Sequence, residues 1–230
     1  KKAILIRKIS EKLSWGNICV GDYIKKWYRT NPTFVTYGAV NEVQSSKFKV
    51  QSYSLKLKFL LVGRLEEDTG VHIYLKVLDI LKQKEIEFEF EACGDGSLRK
   101  DVESYGKVYG FVKDMSKYID RSDFVFTSSY LSIFEAISRG KIVFSVFENE
   151  LKEDYLKMAP FAKWIVIESS PEKLAGKMKY YIQHSEEREK LVNKCYDWVR
   201  KQTWKNVANV YLNLWRIPFR YSYNDTGSLE

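Results

Sequence analysis

Residues 58–96, KFLLVGRLEEDTGVHIYLKVLDILKQKEIEFEFEACGDG, predict a strand, a helix and a second strand in succession. Residues 59–62 form an unbroken apolar run of strand length that ends at Gly63. Over 71–81 the apolar residues recur at helical spacing on one face. Residues 86–93 then alternate apolar side chains with glutamate before a glycine-rich turn. This order predicts two parallel strands with the connecting helix packed across them.

The alternation of strands and helices continues along the chain. Further strands are predicted at 108–109, 124–126, 142–146 and 164–167, and helices at 98–105, 114–120, 130–139 and 150–158. Six strands with intervening helices predict an α/β fold built on a doubly wound parallel sheet. Residues 171–216 are predicted to be helical, and we expect these helices to pack across a sheet edge or against a second domain. One continuous or broken apolar stripe is predicted on them, formed by Trp198, Trp204, Val207, Tyr211, Leu214 and Trp215.

The first 45 residues predict a smaller β-α-β unit, with strands at 17–20 and 34–37 and a basic helix at 22–28. One such unit cannot bury both faces of its sheet, so it is interpreted as the closing piece of a larger preceding domain, or a reduced version of one. The chain is therefore divided into a partial N-terminal segment (1–45), a linker (46–57), the sheet domain (58–216) and a polar tail (217–230).

The composition is that of a soluble globular protein. The 230 residues are 45% hydrophobic and 30% charged, which argues against disordered and low-complexity classes. Three widely spaced cysteines and two histidines complete no disulfide framework and no metal-ligand pattern. No apolar run reaches the roughly 18 to 20 residues of a membrane span. We expect a cytoplasmic protein with no metal site.

Positive charge is concentrated at the start of the chain. The net charge is +8, and residues 1–58 contain 12 Lys/Arg against three acidic residues. Such asymmetry suits a nucleic acid, an anionic membrane surface or a phosphorylated ligand, and equally suits an ordinary solvated lysine-rich face. Nucleic-acid binding has no matching motif, because neither zinc-finger spacing nor an RNA-binding sheet signature is present.

Ligands of open parallel sheets bind outside the carboxyl ends of the strands, and four segments of this chain occupy such positions. After the first strand, Gly63 permits close approach of a ligand, and Arg64 suits paired hydrogen bonds to phosphate oxygens. The alternative is a tight turn with an exposed arginine. Gly94 follows the next strand and opens a helix, so its amide suits an anion, or it is simply a turn glycine.

The third segment consists of Gly110, Phe111 and Val112. Its backbone groups suit hydrogen bonds to the edge of a nucleotide base, while the side chain of Phe111 or Val112 suits packing on the base ring. The fourth begins at Thr127, immediately before the helix predicted at 130–139. Its hydroxyls and amides form a credible diphosphate seat or an ordinary set of helix caps. The residues concerned are Ser128, Ser129 and Tyr130.

Glu135 lies one turn into that helix. Leu131, Phe134 and Ile137 are predicted to form the apolar face, which leaves Glu135 pointing away from it. The carboxylate therefore suits a ligand hydroxyl, or it is a solvated or paired helix glutamate.

In this order, the segments resemble the nucleotide-sugar domain of retaining glycosyltransferases of family 4, which have the B-type fold of two facing Rossmann-like domains. The resemblance covers residues 58–216, and residues 31–41 resemble the strand that closes the N-terminal, acceptor-side domain. The matching stretches are KFLLVGRLEEDTG (58–70), FEACGDGSLRKDVE (90–103), VYGFVKD (108–114), DFVFTSSYLSIFEAISRGKIVFSV (123–146) and TWKNVANVYLNLW (203–215).

The resemblance implies roles for these residues. Arg64 and Glu135 are the implied catalytic residues, with Arg64 on the donor diphosphate and Glu135 on the donor ribose. The loop at 110–112 is implied to lie against the base, and the helix that begins near 128–130 to point at the phosphates. The implied donor-binding residues are Gly63, Gly94, Gly110, Phe111, Val112, Ser128, Ser129 and Tyr130.

Two departures from the family pattern concern charge. The family's lysine five residues beyond the arginine is Thr69 here, and its first glutamate, on a glycine-rich loop beside the transferred sugar, is Thr127. The phosphates then meet one cation fewer and the sugar meets hydroxyls. Lys141 and Lys113 are the candidates for replacing the missing charge.

The resemblance implies a transferase that moves a hexose from a nucleotide sugar to a glycan or lipid-phosphate acceptor with retention. The donor is a substrate, and no metal or other cofactor is expected. The basic residues 1–58 suit contact with the inner membrane surface, which makes the expected location peripheral to it. The alternative, favoured by Thr69, Thr127 and the short N-terminal segment, is a non-catalytic module that binds a nucleotide sugar or docks with a partner chain.

Overall fold

The structure is a computed structural model that describes residues 2–14, 16–41 and 56–215. The predicted tail at 217–230 and most of the predicted linker therefore lie outside the described residues.

The N-terminal residues form the predicted β-α-β unit, preceded by a helix that the sequence reading did not predict. The elements are helix α1 (Lys2–Leu13), strand β1 (Ile18–Val20), helix α2 (Tyr23–Tyr28) and strand β2 (Phe34–Thr36). Strands β1 and β2 are parallel and form a two-stranded sheet. The helix α1 was not predicted, although its exposed apolar residues Leu5, Ile6, Ile9 and Leu13 lie on one face at helical spacing.

The main domain is a six-stranded, wholly parallel sheet in the order β5-β4-β3-β6-β7-β8. This confirms the predicted doubly wound α/β fold. The strands are β3 (Leu57–Val62), β4 (Phe88–Cys93), β5 (Lys107–Val108), β6 (Phe124–Phe126), β7 (Ile142–Val146) and β8 (Val166–Glu168).

Helices cover both faces of this sheet. They are α3 (Val71–Gln83), α4 (Arg99–Glu103), α5 (Ser116–Arg121), α6 (Tyr130–Ser138), α7 (Glu150–Lys157), α8 (Pro171–Gln183) and α9 (Ser185–Val199), with short 3₁₀ turns at Glu67–Thr69 and Ala162–Trp164. A last helix, α10 (Trp204–Trp215), follows α9 and has no buried residue. Consecutive strand residues face opposite cores, so Phe59 packs with the residues of α3 and α8 while Leu60 packs with those of α6 and α9.

Of the two forms predicted for the apolar stripe of the C-terminal helices, continuous or broken, the structure has the broken one. Trp198 packs in the second core against Phe134 and Phe161, with ring centroids 5.4 Å and 5.8 Å apart. By contrast, Trp204 and Trp215 are exposed. The stripe is divided because α9 packs against α6 and the sheet, whereas the chain turns at 200–203 before α10 begins.

The face predicted for α6 is also partly wrong. Leu131 is 53% exposed, and the buried residues of the helix are Tyr130, Ile133, Phe134, Ala136, Ile137 and Ser138. The buried face is displaced because α6 packs against the N-terminal unit as well as the sheet. Residue Tyr37 of that unit lies against Tyr130 and Phe161, with ring centroids 5.4 Å and 6.2 Å away.

Polar contacts join the N-terminal unit to α7. The indole Nε1 of Trp27 donates to Asp154 over 2.8 Å, and the Lys26 ammonium lies 2.6 Å from the same carboxylate. The ring of Tyr23 packs edge-on against Tyr155 at 5.3 Å between centroids. These contacts place the N-terminal unit beside α6 and α7, on the side of the sheet where the candidate site lies.

Candidate functional site

A cavity of about 480 Å³ opens at the carboxyl ends of β3, β4 and β6. Its volume lies in the range of small-molecule pockets, roughly 300 to 1,000 Å³. The chain runs from β3 to β4 on one side and later returns to β6 on the other, so the cavity lies at the switch point of the sheet, where ligands of doubly wound folds bind. The lining residues include Gly63, Arg64, Thr69, Tyr74, Cys93, Gly94, Gly110, Phe111, Val112, Thr127, Ser128, Ser129, Ser132, Lys152 and Tyr155.

Arg64 is presented to the cavity by a short, tightly bonded loop after β3. Its side chain is 61% exposed, and its guanidinium donates to both carboxylate oxygens of Asp68, at 2.9 Å and 3.2 Å. The hydroxyl of Thr69 lies 2.9 Å from the carbonyl of Arg64 and 2.7 Å from that of Glu66, and the two carbonyls share its single proton. Thr69 therefore shapes the loop that carries Arg64, and it brings no charge.

The floor of the cavity requires glycine at position 94. A Cβ at Gly94 would lie 1.7 Å from the carbonyl oxygen of Gly63, so any side chain there would displace the end of β3. Gly94 also forms an antiparallel bridge with Gly110. The loops after β3, β4 and β5 are thus joined through Gly63, Gly94 and Gly110.

The loop after β5 supplies an apolar rim. Phe111 is 80% exposed, which is unusual for a phenylalanine, and Val112 is half-buried beside it. Both residues line the cavity. An exposed aromatic ring at the edge of a polar cavity can stack on a planar ligand group.

Helix α6 points its first turn at the cavity. Ser129 is its N-cap residue, but its side chain makes no capping hydrogen bond. The Tyr130 amide donates to the Tyr155 hydroxyl over 3.0 Å. Among the described residues, no group accepts from the amides of Leu131 and Ser132. These two amides and the positive end of the helix dipole favour an anion.

Ser128 has a structural role in addition to lining the cavity. Its hydroxyl accepts from the Val146 amide over 2.9 Å, donates to the Val146 carbonyl over 3.0 Å and lies 3.0 Å from the Tyr74 hydroxyl. Because these contacts use its hydrogen-bonding capacity, the Ser128 hydroxyl fixes β6 against β7 and α3.

The structure does not bring two of the predicted residues to the cavity wall. The Tyr130 side chain is buried and its hydroxyl donates to the Tyr155 carbonyl, so it braces α6 against α7. Glu135 is half-buried one turn beyond Ser132 and is not part of the lining. Burial raises the pKa of the Glu135 carboxyl, and Arg139 opposes that increase.

Sequence reasoning missed Lys152, the third residue of α7. Its ammonium lines the cavity, donates to the Ser128 carbonyl over 2.6 Å and lies 4.2 Å from the centre of the Tyr155 ring. Burial lowers the pKa of Lys152 to about 8; the nearby Asp68 raises it and Arg64 lowers it further. Within the segment ELKEDYLK it has the spacing of an ordinary surface lysine, so the sequence carried no signal for it.

The two lysines suggested as replacements lie elsewhere. The Lys141 ammonium donates to the carbonyls of Asp120 and Ser122, at 2.8 Å and 2.7 Å, immediately before the amino end of β6. It therefore lies at the amino ends of the strands, whereas the cavity lies at their carboxyl ends. The suggestion that Lys141 replaces the missing charge is wrong. Lys113 is exposed and does not line the cavity.

Thr127 lies at the cavity floor and is 1% exposed. Its amide donates to the Phe144 carbonyl over 3.2 Å, and its carbonyl accepts from the Ser145 hydroxyl over 2.6 Å. Its own hydroxyl has no hydrogen-bond partner among the described residues. A buried hydroxyl without a partner is costly, which marks the place where a polar ligand group would be stabilised.

The described residues contain no group of three or more His, Cys, Asp and Glu side chains placed to hold a metal ion. None of their helices combines the length and apolar character that a membrane span requires.

Comparison with known proteins identifies similar folds. Residues 42–198 match the family model for glycosyl transferases of group 1. Among solved structures, TarM is similar with a TM-score of 0.66 at 13% identity, and WaaG, a glycosyltransferase involved in lipopolysaccharide biosynthesis, with 0.61 at 15% identity. The pneumococcal O-GlcNAc transferase GtfA, solved with UDP and GlcNAc, has a TM-score of 0.58 at 14% identity.

The chain spans only part of these proteins. The alignments cover 94%, 84% and 85% of this chain, but 46% of TarM, 61% of WaaG and 44% of GtfA. No curated protein matches the sequence. At these identities the solved structures support the fold, a Rossmann-like domain of the B-type architecture.

Proposed function

The chain belongs to the glycosyl transferases of group 1, and we propose that it transfers a hexose from a nucleotide-sugar donor to an acceptor with retention of the anomeric configuration. One observation carries the proposal. Arg64 and the unpartnered first-turn amides of α6 meet at a single cavity at the switch point of the sheet. Positive groups fixed in this way stabilise the charge that develops on a departing diphosphate.

Two further sequence-based assignments complete the proposed donor site. We propose that the loop at 110–112 lies against the base, with the exposed Phe111 ring on its face, and that Glu135 holds the ribose. The bound UDP in the GtfA structure is of the chemical class that this arrangement suits. Retention and the hexose rest on the resemblance of the motifs to family 4. The proposed reaction uses no cofactor, and the nucleotide sugar is a substrate. Arg64 and the α6 amides supply the charge that stabilises the departing diphosphate.

The donor-binding and acceptor-binding parts divide along the chain. We propose that residues 58–216 bind the nucleotide sugar and that residues 1–45 belong to the acceptor side, joined by the linker at 46–57. The acceptor is proposed to be a glycan or a lipid phosphate.

We further propose a cytoplasmic location peripheral to the inner membrane surface. Helix α1 presents Leu5, Ile6 and Leu13, which are 61%, 64% and 80% exposed, on a helix that also carries Arg7 and Lys8. Exposed apolar and basic residues on one helix suit an anionic membrane surface. Sedimentation with anionic and neutral vesicles tests this contact, and equal recovery with both vesicle types would contradict it.

A donor-hydrolysis assay tests the enzymatic proposal against a non-catalytic binding module, which Thr69 and Thr127 favour. The chain is incubated with UDP-, GDP- and ADP-hexoses, and released sugar and nucleotide are measured. A transferase releases sugar to water slowly in the absence of acceptor, whereas a binding module releases none. With a productive acceptor, NMR of the anomeric proton distinguishes retention from inversion.

The proposed role of Glu135 predicts a specific loss of ribose recognition in Glu135→Gln. A carboxylate that accepts from ribose hydroxyls contributes about 1.5–3 kcal/mol, so the variant should bind a nucleoside diphosphate roughly 10- to 100-fold more weakly. The wild type should prefer the ribonucleotide over its 2′,3′-dideoxy analogue, and the variant should lose most of that preference. Isothermal titration calorimetry measures both affinities.

The dependence of the ribose preference on pH, below neutrality, provides a second check on the role of Glu135. Since the carboxylate form accepts the hydrogen bonds and burial raises its pKa, the ribose preference should fall as the pH drops toward that raised pKa. The exposed Glu89, on β4, serves as the matched control, and Glu89→Gln should leave the preference unchanged. A Glu135→Gln variant that retained the full preference would remove Glu135 from the ribose site.

A further inference from the structure

We propose that Lys152 is the second cation of the diphosphate site, and that its ammonium binds the donor phosphates together with Arg64. This inference rests on the proposed function, because it assigns a residue to the same donor cavity. Lys152 and Arg64 both line that cavity, and they reach it from different elements, α7 and the loop after β3.

The position of the Lys152 ammonium is fixed by its surroundings. The Asn149 side chain accepts from the Lys152 amide over 2.9 Å, which sets the start of α7. The ammonium donates to the Ser128 carbonyl over 2.6 Å and lies 4.2 Å from the Tyr155 ring centre. An ammonium has three donors, so this arrangement leaves donors for a ligand.

The ammonium also lacks a counter-ion. Among the described residues, no carboxylate lies within 4.0 Å of it, whereas Lys157 on the same helix is paired with Glu153 at 2.5 Å. A half-buried cation without a paired anion is destabilised by the loss of hydration. An anion bound in the cavity would remove that cost. Lys152 is therefore better explained as a residue that binds phosphate than as one that stabilises the free protein.

The charge of the ligand calls for a second cation. A diphosphate in a nucleotide sugar carries about two negative charges at neutral pH. Arg64 supplies one positive charge and is already bonded to Asp68. Thr69 supplies none, because its hydroxyl bonds the carbonyls of its own loop. Lys152 therefore supplies the charge that this loop lacks, and it does so from α7 and not from the loop after β3.

The buried hydroxyl of Thr127 is a second, independent indication of a polar ligand. It is unpartnered among the described residues and belongs to the lining of the same cavity. Thr127 and Lys152 approach the cavity from β6 and α7, and the Lys152 ammonium contacts the carbonyl of the residue that follows Thr127. A phosphate or sugar oxygen between them would provide partners for both groups.

Whether the affinity for the diphosphate rises or falls with pH follows from the protonation of Lys152. Its charged form binds the anion, and burial lowers its pKa to about 8 in the free protein, with Asp68 raising and Arg64 lowering it. Burial raises the pKa of Cys93 to about 11 and that of Tyr155 to about 12, and it also raises the pKa of Tyr74, so these groups of the lining stay protonated between pH 7 and pH 9. Diphosphate affinity should therefore fall about tenfold between pH 7 and pH 9 as Lys152 loses its proton.

The test uses Lys152→Met, Lys152→Arg and the matched control Lys157→Met, an exposed lysine of the same helix. Calorimetry first compares UDP, GDP and ADP with the wild type, and the tightest binder and its parent nucleoside are then titrated into each variant. Lys152→Met should bind the diphosphate tenfold or more weakly, bind the nucleoside unchanged and lose the decline between pH 7 and pH 9. Lys152→Arg should retain most of the affinity and shift the decline beyond pH 9, and Lys157→Met should match the wild type.

Three results would overturn the inference. Unchanged diphosphate affinity in Lys152→Met would remove Lys152 from the site and leave the proposed function standing. Equal weakening of diphosphate and nucleoside, accompanied by a lower melting temperature of the free variant, would show a structural role instead. A wild type that binds none of the three diphosphates would overturn the proposed function together with this inference.

Discussion

Replacing Arg64 by methionine is expected to lower the rate of donor cleavage about 10²- to 10³-fold. The guanidinium is the charged group that the loop after β3 presents to the cavity, and removing one preorganised donor from a developing oxyanion has an effect of this size. Donor binding should weaken less than turnover, because the charge on the leaving group is greater in the transition state than in the bound substrate.

The Arg64 side chain is 61% exposed, so its loss should leave the melting temperature unchanged within error. Arg200→Met is the matched control, since Arg200 is similarly exposed and is also paired with one aspartate, at 3.4 Å. Arg64→Lys should fall between the wild type and Arg64→Met, because lysine keeps the charge but loses the planar fork. A cleavage rate in Arg64→Met equal to that of Arg200→Met would contradict the role of Arg64.

Replacing Gly94 by alanine is expected to have the largest effect on folding. The added Cβ would lie 1.7 Å from the Gly63 carbonyl oxygen, a backbone atom that cannot rotate away. Relieving the clash requires β3 and β4 to separate at their carboxyl ends, where Gly63 donates to the Cys93 carbonyl over 3.1 Å. We expect a loss of about 3 kcal/mol or more in the free energy of unfolding, measured by chemical denaturation.

Gly176→Ala is the control for this substitution. A Cβ at Gly176 would meet no atom within 4 Å, and the residue lies inside α8, where alanine is favoured over glycine. It should stabilise the protein by ~0.5–1 kcal/mol. If Gly94→Ala were as stable as the wild type, the close approach of the two strand ends would be disproved.

The central strands of the sheet were predictable because they are short apolar runs with sharp ends. The strand predicted at 124–126 is found as Phe124–Phe126, and the strand predicted at 142–146 as Ile142–Val146. Both are buried on two faces, so no polar residue interrupts the pattern. The strand predicted at 164–167 begins two residues late, because Trp164 ends a 3₁₀ turn and packs against Trp198.

The glycines and hydroxyl residues of the cavity could be placed from the sequence for a similar reason. In a parallel sheet, the residues that follow each strand emerge at the same edge. Gly63, Gly94, Gly110 and Ser129 all follow strands, and the structure brings them to one cavity. That these residues lie close together can be inferred from the order of the strands, without knowing how their side chains pack.

Lys152 and Tyr130 could not be placed in this way, because their environments depend on how helices pack. Lys152 reaches the cavity only because α7 begins beside the end of β6, where its ammonium meets the Ser128 carbonyl. Tyr130 turns away because the N-terminal unit and α7 surround it with the rings of Tyr37 and Tyr155. Such contacts join residues that are distant in sequence, and a pattern within one segment does not reveal them.

The most direct test of the donor site is a structure of the chain determined with the nucleoside diphosphate that binds it most tightly. The account predicts the diphosphate between Arg64 and the first turn of α6, with the base beside Phe111. A nucleotide bound at another surface, with the cavity at the ends of β3 and β6 empty, would contradict it.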